Sequence, residues 1–537
     1  MAGLAALGVG IAGLVVLAAR PESPITPPLV SEPVGWLRAA AEALALDRLS
    51  RDGAAGLSAV LLILSTAGFL LVLRSAWRMR LRVSTVIIAA AVLHGVVLLA
   101  PLLFSRDVYS YATYGRIVSV HHDNPYVTTP ADVPDDPFTP VVSREWIDMP
   151  SVYGPAFSLV AAGVTRAVRS PAMVVSAFRV LAAVASLAAL MLIVFASRRL
   201  APERSPFAAA LFGLNPVVLL HTVGGGHNDA LLALCVAGAV ALLSLGRPLI
   251  ATAALALATA FKVSAAVSLI VFVVGVAVSE ARLVRALLRH AAVAMTVVLA
   301  FAVPFVSREN PTLTVFELAS VEGWLAPSRF LRTILQRAGE AAGAPGIGAA
   351  LGTAVRIAFP LLLLGGLVLI GRNLARSRPG EATIGAATGW ATLIALLAAP
   401  LLLPWYVTLL LPLAFLLPRA PRAATIALSA VLGLTEVVAE PMRSPPVWEA
   451  ALLGVHYVAS PLALFVLVRL LLDLRTRLAT GAPLSDLDPP AGGEQPAGGT
   501  DPESEDRRHA RRHLEGGDEG ARQRERDHSA RGREGHA

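Results

Sequence analysis

Apolar residues fall in long unbroken runs separated by short polar segments, at about 2–19, 55–73, 83–104, 172–196, 206–222, 229–246, 249–261, 263–278, 290–306, 347–371, 382–400, 404–417, 421–439 and 449–472. A helix needs about 20 apolar residues to cross a bilayer, and the runs lack the alternation of strands. The pattern predicts an all-α polytopic membrane protein with 12–14 spans. Several runs are short, and 249–278 reads either as one long helix or as two short ones. The first run ends near AAR, as a signal peptide does, but it has no basic leading segment and reads as a retained first helix.

Polar segments divide into two kinds, and arginine separates them. Segments 74–82, 197–205, 280–289, 372–381, 418–422 and 469–479, with Arg247, hold 19 arginines and four acids. Basic residues concentrate in short cytoplasmic loops, so these are the expected inner loops. Segments 20–54, 105–171, 223–228, 307–346 and 440–448 then face outward, and both termini lie in the cytoplasm. The organisation expected is an N-terminal transmembrane hairpin over 1–82, a membrane catalytic region over 83–475 with its external loop at 105–171, and a disordered, charged cytoplasmic tail over 476–537.

Composition agrees with this division: 55% of the 537 residues are hydrophobic and 15% are charged, against about a quarter charged in soluble domains. No large soluble catalytic domain fits. Residues 480–537 carry 13 acidic and 9 basic side chains, so the net +8 divides into +12 for the body and −4 for the tail. Interleaved acids make the tail a solvated segment and give no nucleic-acid surface. The single cysteine, Cys235, excludes an intramolecular disulfide framework.

Candidate chemistry lies in the outward segments. Asp107 directly follows an apolar run, so its carboxylate sits at a membrane–water boundary, where it can act as a general base; the alternative is an interfacial cap or an ion pair with Arg106. If the segment opens as a helix, Tyr111 and Tyr114 share its face. Of the 45 basic residues only Lys262 is a lysine, and it sits between two half-length apolar runs. Charge within a membrane marks a functional site by default; otherwise it pairs with another helix or snorkels. Arg179 and Arg356, also inside runs, rank lower because the sequence uses arginine freely.

His227, Asn228 and Asp229 follow three glycines on an outward turn into a helix, where they can hold phosphate or sugar hydroxyls, or cap the helix. His121, His122 and Asp123 with Asp148 form a metal option, although no tight acidic pair accompanies them. No metal ligand is therefore assigned and no cofactor is required, with a divalent cation left open. Trp405 and Tyr406 can stack on a sugar or prenyl chain, or belong to an aromatic belt.

Five blocks in order, SRDVYSYATYG at 105–115, DNPY at 123–126, PSVYGP at 150–155, LNPVVLLHTVGGGHNDAL at 214–231 and PWY at 404–406, resemble the actinobacterial polyprenol-phosphomannose-dependent α-1,6-mannosyltransferases, membrane enzymes of the GT-C class. The resemblance runs from about 83 to 472. It implies a GT-C-like bundle with Asp107 as the catalytic base in the first large external loop, Lys262, His227, Asn228, Asp229, Tyr111, Tyr153, Trp405 and Tyr406 in contact with substrate, and an active site on the outer face of the cytoplasmic membrane. The implied donor is polyprenyl-phosphate mannose and the implied acceptor a cell-envelope mannan or glycolipid. The alternatives are a GT-C transferase of another lipid-linked sugar, such as arabinofuranose, and a lipid-linked oligosaccharide flippase. Transporters show pseudo-symmetric halves, whereas polarity here is crowded into one early loop.

Overall fold

The computed structural model describes residues 1–487 except 29, 31–32, 312, 314–320, 324, 377 and 436–445; of 446–456 it describes the helical backbone only. Seventeen α-helices lie among the described residues: α1 (Ala2–Ala18), α2 (Gly35–Ala43), α3 (Arg51–Trp77), α4 (Val83–Leu99), α5 (Asp107–Ser119), α6 (Pro155–Ala167), α7 (Pro171–Leu200), α8 (Ser205–Gly213) and α9 (Asp229–Leu243) in the first half. The second half adds α10 (Pro248–Phe261), α11 (Ala266–Ser279), α12 (Leu283–Ala302), α13 (Pro327–Ala341), α14 (Pro345–Arg376), α15 (Glu381–Ala398), α16 (Arg419–Leu434) and α17 (Pro446–Thr480). No strand occurs among the described residues.

The protein is an all-α polytopic membrane protein. Seven described helical segments are long and apolar enough to cross a membrane, and five shorter apolar helices accompany them. Exposure follows position in the bundle. On α12 only Ala286, His290 and Ala302 are buried, while Val284, Leu288, Met295 and Leu299 are exposed; an apolar surface of that extent suits lipid rather than water. By contrast, every residue of α8 is buried, as is all of the π-helical turn Val217–Val223 that follows it.

Thirteen of the fourteen apolar runs contain α-helix among their described residues, and one does not. Residues 404–417 form two 3-10 segments, Pro404–Leu409 and Leu411–Leu416. Proline alone does not account for this, since α14 and α17 continue through Pro360 and Pro461. The ambiguity over 249–278 resolves as two helices. Lys262 is extended, at φ −161° and ψ 126°, and the Gly154 N–H donates to the Phe261 carbonyl at 2.9 Å. Gly154 is required there, since a Cβ would lie 2.2 Å from the Ala260 carbonyl oxygen.

Arg179, a charge within α7, is structural. Its Nη1 and Nη2 donate to the Ala100 and Val97 carbonyls at 2.5 and 2.7 Å at the end of α4, where the Val97 carbonyl also accepts from the Ala100 N–H. Arg356 pairs with Glu322 at 3.0 Å.

The expected start of the tail at 476 moves outward. Helix α17 runs to Thr480, and the next residues fold back as a strap: Trp390 Nε1 donates to the Leu484 carbonyl at 3.2 Å, Ser485 Oγ to the Leu416 carbonyl at 3.2 Å, and Arg204 pairs with Asp486 at 2.8 Å. Leu484 is fully buried, so apolar burial holds what composition alone assigned to a solvated tail. The remainder of the expected disordered segment, 488–537, lies outside the described residues. Burying one leucine stabilises by roughly 2–3 kcal/mol. A chain ending at 480 should therefore melt about 2–3 °C lower in detergent than one ending at 487; equal melting temperatures would show that the strap adds nothing.

Candidate active site

The external loop opens with α5, and its first residue is Asp107. The Asp107 N–H, one of the donors a helix start leaves free, bonds to Ser105 Oγ at 3.1 Å. Helical geometry then sets Tyr111 and Tyr114 one and two turns along. Tyr114 Oη donates to the Met149 carbonyl at 2.7 Å, while Tyr111 turns toward the glycine-flanked turn.

At that turn His227 Nδ1 lies 3.5 Å from Asp107 Oδ2 and 3.3 Å from Tyr111 Oη. Tyr111 Oη also donates to Asn228 Oδ1 at 3.4 Å. The imidazole lies flat on Trp405, with ring centroids 3.6 Å apart and planes 17° from parallel. Tyr153, from the PSVYGP block, meets Tyr111 edge to face at 4.8 Å.

Lys262 completes the group from the gap between α10 and α11. Its Nζ donates to both Asp229 oxygens, at 3.2 and 3.0 Å, and sits 4.0 Å from the centre of the Tyr406 ring. Two of its three N–H groups are thereby used. The pair is almost fully enclosed, with side-chain exposures of 5% for Lys262 and 2% for Asp229, whereas Asp107 keeps 20%. Of the two carboxylates, only Asp107 is open to an incoming molecule.

All nine residues singled out in the sequence converge on this site. Burial pushes the Asp107 carboxyl up to about 6; Lys262 opposes the rise and Asp229 adds to it. Burial, reinforced by Lys262 and His221, drives the His227 imidazole well below its ordinary value, so it is neutral. The metal option at His121 is not assembled, because His121 Nε2 bonds to Asp136 Oδ2 at 3.0 Å and Arg116 shares that carboxylate at 2.7 Å. Among the described residues no three His, Cys, Asp or Glu side chains gather as metal ligands.

Two neighbours were not singled out. Ser105 accepts the Asp107 N–H at the start of α5, and its place two residues before Asp107 was a readable signal. His221 is buried and stacked on Phe104, with ring centroids 4.8 Å apart. It lies in an apolar run with no sequence feature to mark it.

Comparison with known proteins gives this arrangement a family. The family described as "Alpha-(1->6)-mannopyranosyltransferase, N-terminal domain" matches residues 9–279, which includes every site residue except Trp405 and Tyr406. The chain belongs to the α-(1→6)-mannopyranosyltransferase family. It is 32% identical to alpha-(1->6)-mannopyranosyltransferase A of Mycobacterium tuberculosis over 368 residues, 63% of this chain and 67% of that protein. Alpha-(1->6)-mannopyranosyltransferase B of Corynebacterium glutamicum is 32% identical over 26% of this chain and 23% of its own length. The A protein of the same species is 30% identical over 32% of this chain and 36% of its own. No solved structure matches the chain. As a member of the α-(1→6)-mannopyranosyltransferase family, it is a membrane glycosyltransferase.

The buried ion pair predicts a coupling. Asp229→Asn leaves the Lys262 ammonium enclosed without a counter-charge, at a cost of about 3–5 kcal/mol, and Lys262→Met strands the carboxylate likewise. The double variant should recover most of that loss, read as unfolding midpoints in detergent across the four proteins. Simple additivity of the two single losses would mean that the pair is not coupled.

Proposed function

We propose that the protein transfers mannose from polyprenyl-phosphate mannose to a cell-envelope mannan or glycolipid, forming an α-1,6 linkage with inversion. The observation that carries this reading is the single open carboxylate, Asp107, set beside an enclosed lysine at the edge of a helical membrane bundle. The names of the relatives supply the sugar and the linkage. In this reading the catalytic region spans 83–475 in a GT-C-like bundle, the site faces outward across the cytoplasmic membrane, and the tail is cytoplasmic.

The chemistry follows from these groups. The Asp107 carboxylate takes the proton of the acceptor hydroxyl as its oxygen attacks C1, the bond from C1 to the phosphate oxygen breaks, and polyprenyl phosphate leaves. One displacement at a β-configured donor gives the α product. The proton rests on Asp107 and passes to solvent after product departs. Lys262, with its third N–H unused, supplies positive charge where the phosphate gains negative charge. Asn228 and Asp229 hold the turn and the lysine, while Tyr111, Tyr153, Trp405 and Tyr406 form an aromatic wall suited to the sugar and the prenyl chain. Phosphate is already a good leaving group, so one carboxylate suffices, unlike the pair in glycosidases.

Replacement of Asp107 by Asn should lower transfer from labelled polyprenyl-phosphate mannose by about a hundredfold or more, the usual worth of a general base. A folded variant with full activity would remove Asp107 from the mechanism. The pH profile supplies a second check. A base must be ionised, so activity should be full well above pH 6 and fall as pH drops through about 6. Since Lys262 favours the ionised form, Lys262→Met should move that limb to higher pH; a limb that stays put or moves down would contradict the assignment.

A further inference from the structure

We infer that His227 serves the reaction through Asp107, as the N–H donor that orients and stabilises the base, rather than as a ligand of the leaving phosphate. The inference rests on the reading of Asp107 as the base and changes the role that sequence suggested for His227.

The ring's surroundings decide which edge is available. Its Nε2 is buried without a partner and packs against Gly225, where a Cβ would come within 2.8 Å of both Nε2 and Cδ2. One face is covered by Trp405 at 3.6 Å. The edge directed at the site is Nδ1, which meets Asp107 Oδ2 and Tyr111 Oη. An incoming phosphate would therefore find no free nitrogen on this side chain.

The tautomer follows from the same contacts. With the proton on Nδ1, the N–H faces the Asp107 carboxylate and the Tyr111 oxygen, and Tyr111 passes its own proton to Asn228 Oδ1 at 3.4 Å. The one group left unsatisfied is then the Nε2 lone pair. With the proton on Nε2, a buried N–H would be orphaned, which is the rarer and costlier defect. A contact of 3.5 Å is long for a finished hydrogen bond, and such contacts commonly tighten once substrate is bound.

Other groups also set the charge on Asp107. Lys262 from the α10–α11 gap and Asp229 from α9 act in opposite directions, and Ser105 from the segment before α5 favours the ionised carboxylate. Tyr111, Tyr153 and Tyr406 face the site with their hydroxyls held protonated by burial, and His221 acts electrostatically on His227. None of these supplies the contact that His227 Nδ1 makes, so removing that contact has a distinct signature.

Asparagine and glutamine separate the two ring nitrogens, because an Asn amide nitrogen falls near the position of Nδ1 and a Gln amide nitrogen near that of Nε2. The test compares His227→Asn, His227→Gln and Asp107→Asn in the full chain, solubilised in detergent, with labelled polyprenyl-phosphate mannose as donor and octyl α-mannoside as acceptor. His227→Asn should stay within about tenfold of the parent in kcat and keep its acidic limb. His227→Gln should lose about a hundredfold in kcat, as misplaced catalytic groups do, with the limb moved up and the donor KM little changed. The reverse order, or equal losses with a raised donor KM and an unmoved limb, would overturn the inference. If Asp107→Asn is active, the reading of the base falls and takes this one with it; if Asp107→Asn is dead and the two His227 variants behave alike, only the role of His227 falls. Nitrogen-15 NMR of histidine-labelled parent protein reads the tautomer without relying on a variant's fold: Nδ1–H is expected, and Nε2–H at His227 would overturn the assignment.

Discussion

An ammonium and a carboxylate enclosed within a membrane bundle must find each other, and the pairing of Lys262 with Asp229 at 3.0 Å is the contact on which the site depends. An isolated buried charge is costly, and the return from pairing depends on geometry. Here the geometry comes from interrupting a helix: one continuous rod over 248–279 would not free the backbone at residue 262. The break gives Lys262 an extended backbone and leaves the Phe261 carbonyl to the Gly154 N–H. The same interruption therefore seats the lysine, anchors the external loop that carries Tyr153, and fixes the start of α9.

Around this pair the polar atoms are arranged in order of accessibility. Asp229 and Lys262 are closed, His227 lies against Trp405 and Gly225, and of the charged side chains Asp107 alone keeps appreciable exposure. With all but one carboxylate of the site buried, the base we propose is the single carboxylate open to a reacting hydroxyl, and its electrostatic surroundings are already fixed. Such preorganisation avoids reorientation during the reaction.

Much of this was legible in the sequence because membrane burial makes polar residues conspicuous. Lys262 stood out as the one lysine, Asp107 by its place at the end of an apolar run, and the HND turn by its glycines. What sequence could not supply was pairing. Nothing in the order of residues says that Lys262 binds Asp229 rather than a phosphate, or that His227 turns Nδ1 toward Asp107, since both depend on which helix ends meet in space. His221 was invisible for a related reason, being one polar residue on a helix buried on every side. The 404–417 run misled because hydropathy measures burial and not backbone hydrogen bonding, so it does not separate an α-helix from two 3-10 segments. The residues just beyond α17 carry little compositional signal, because 481–487 hold only two leucines among seven residues.

The guanidinium of Arg179 gives Asp107 an unusual mounting. It grips the last carbonyls of α4, from which the chain leads through Phe104 to Asp107, while its own backbone belongs to α7. Asp107 is thus carried by two transmembrane helices at once. A lipid chain that wedged α4 away from α7 would have to break two charge-assisted bonds, so that seam behaves as a hinge pin and not as a door.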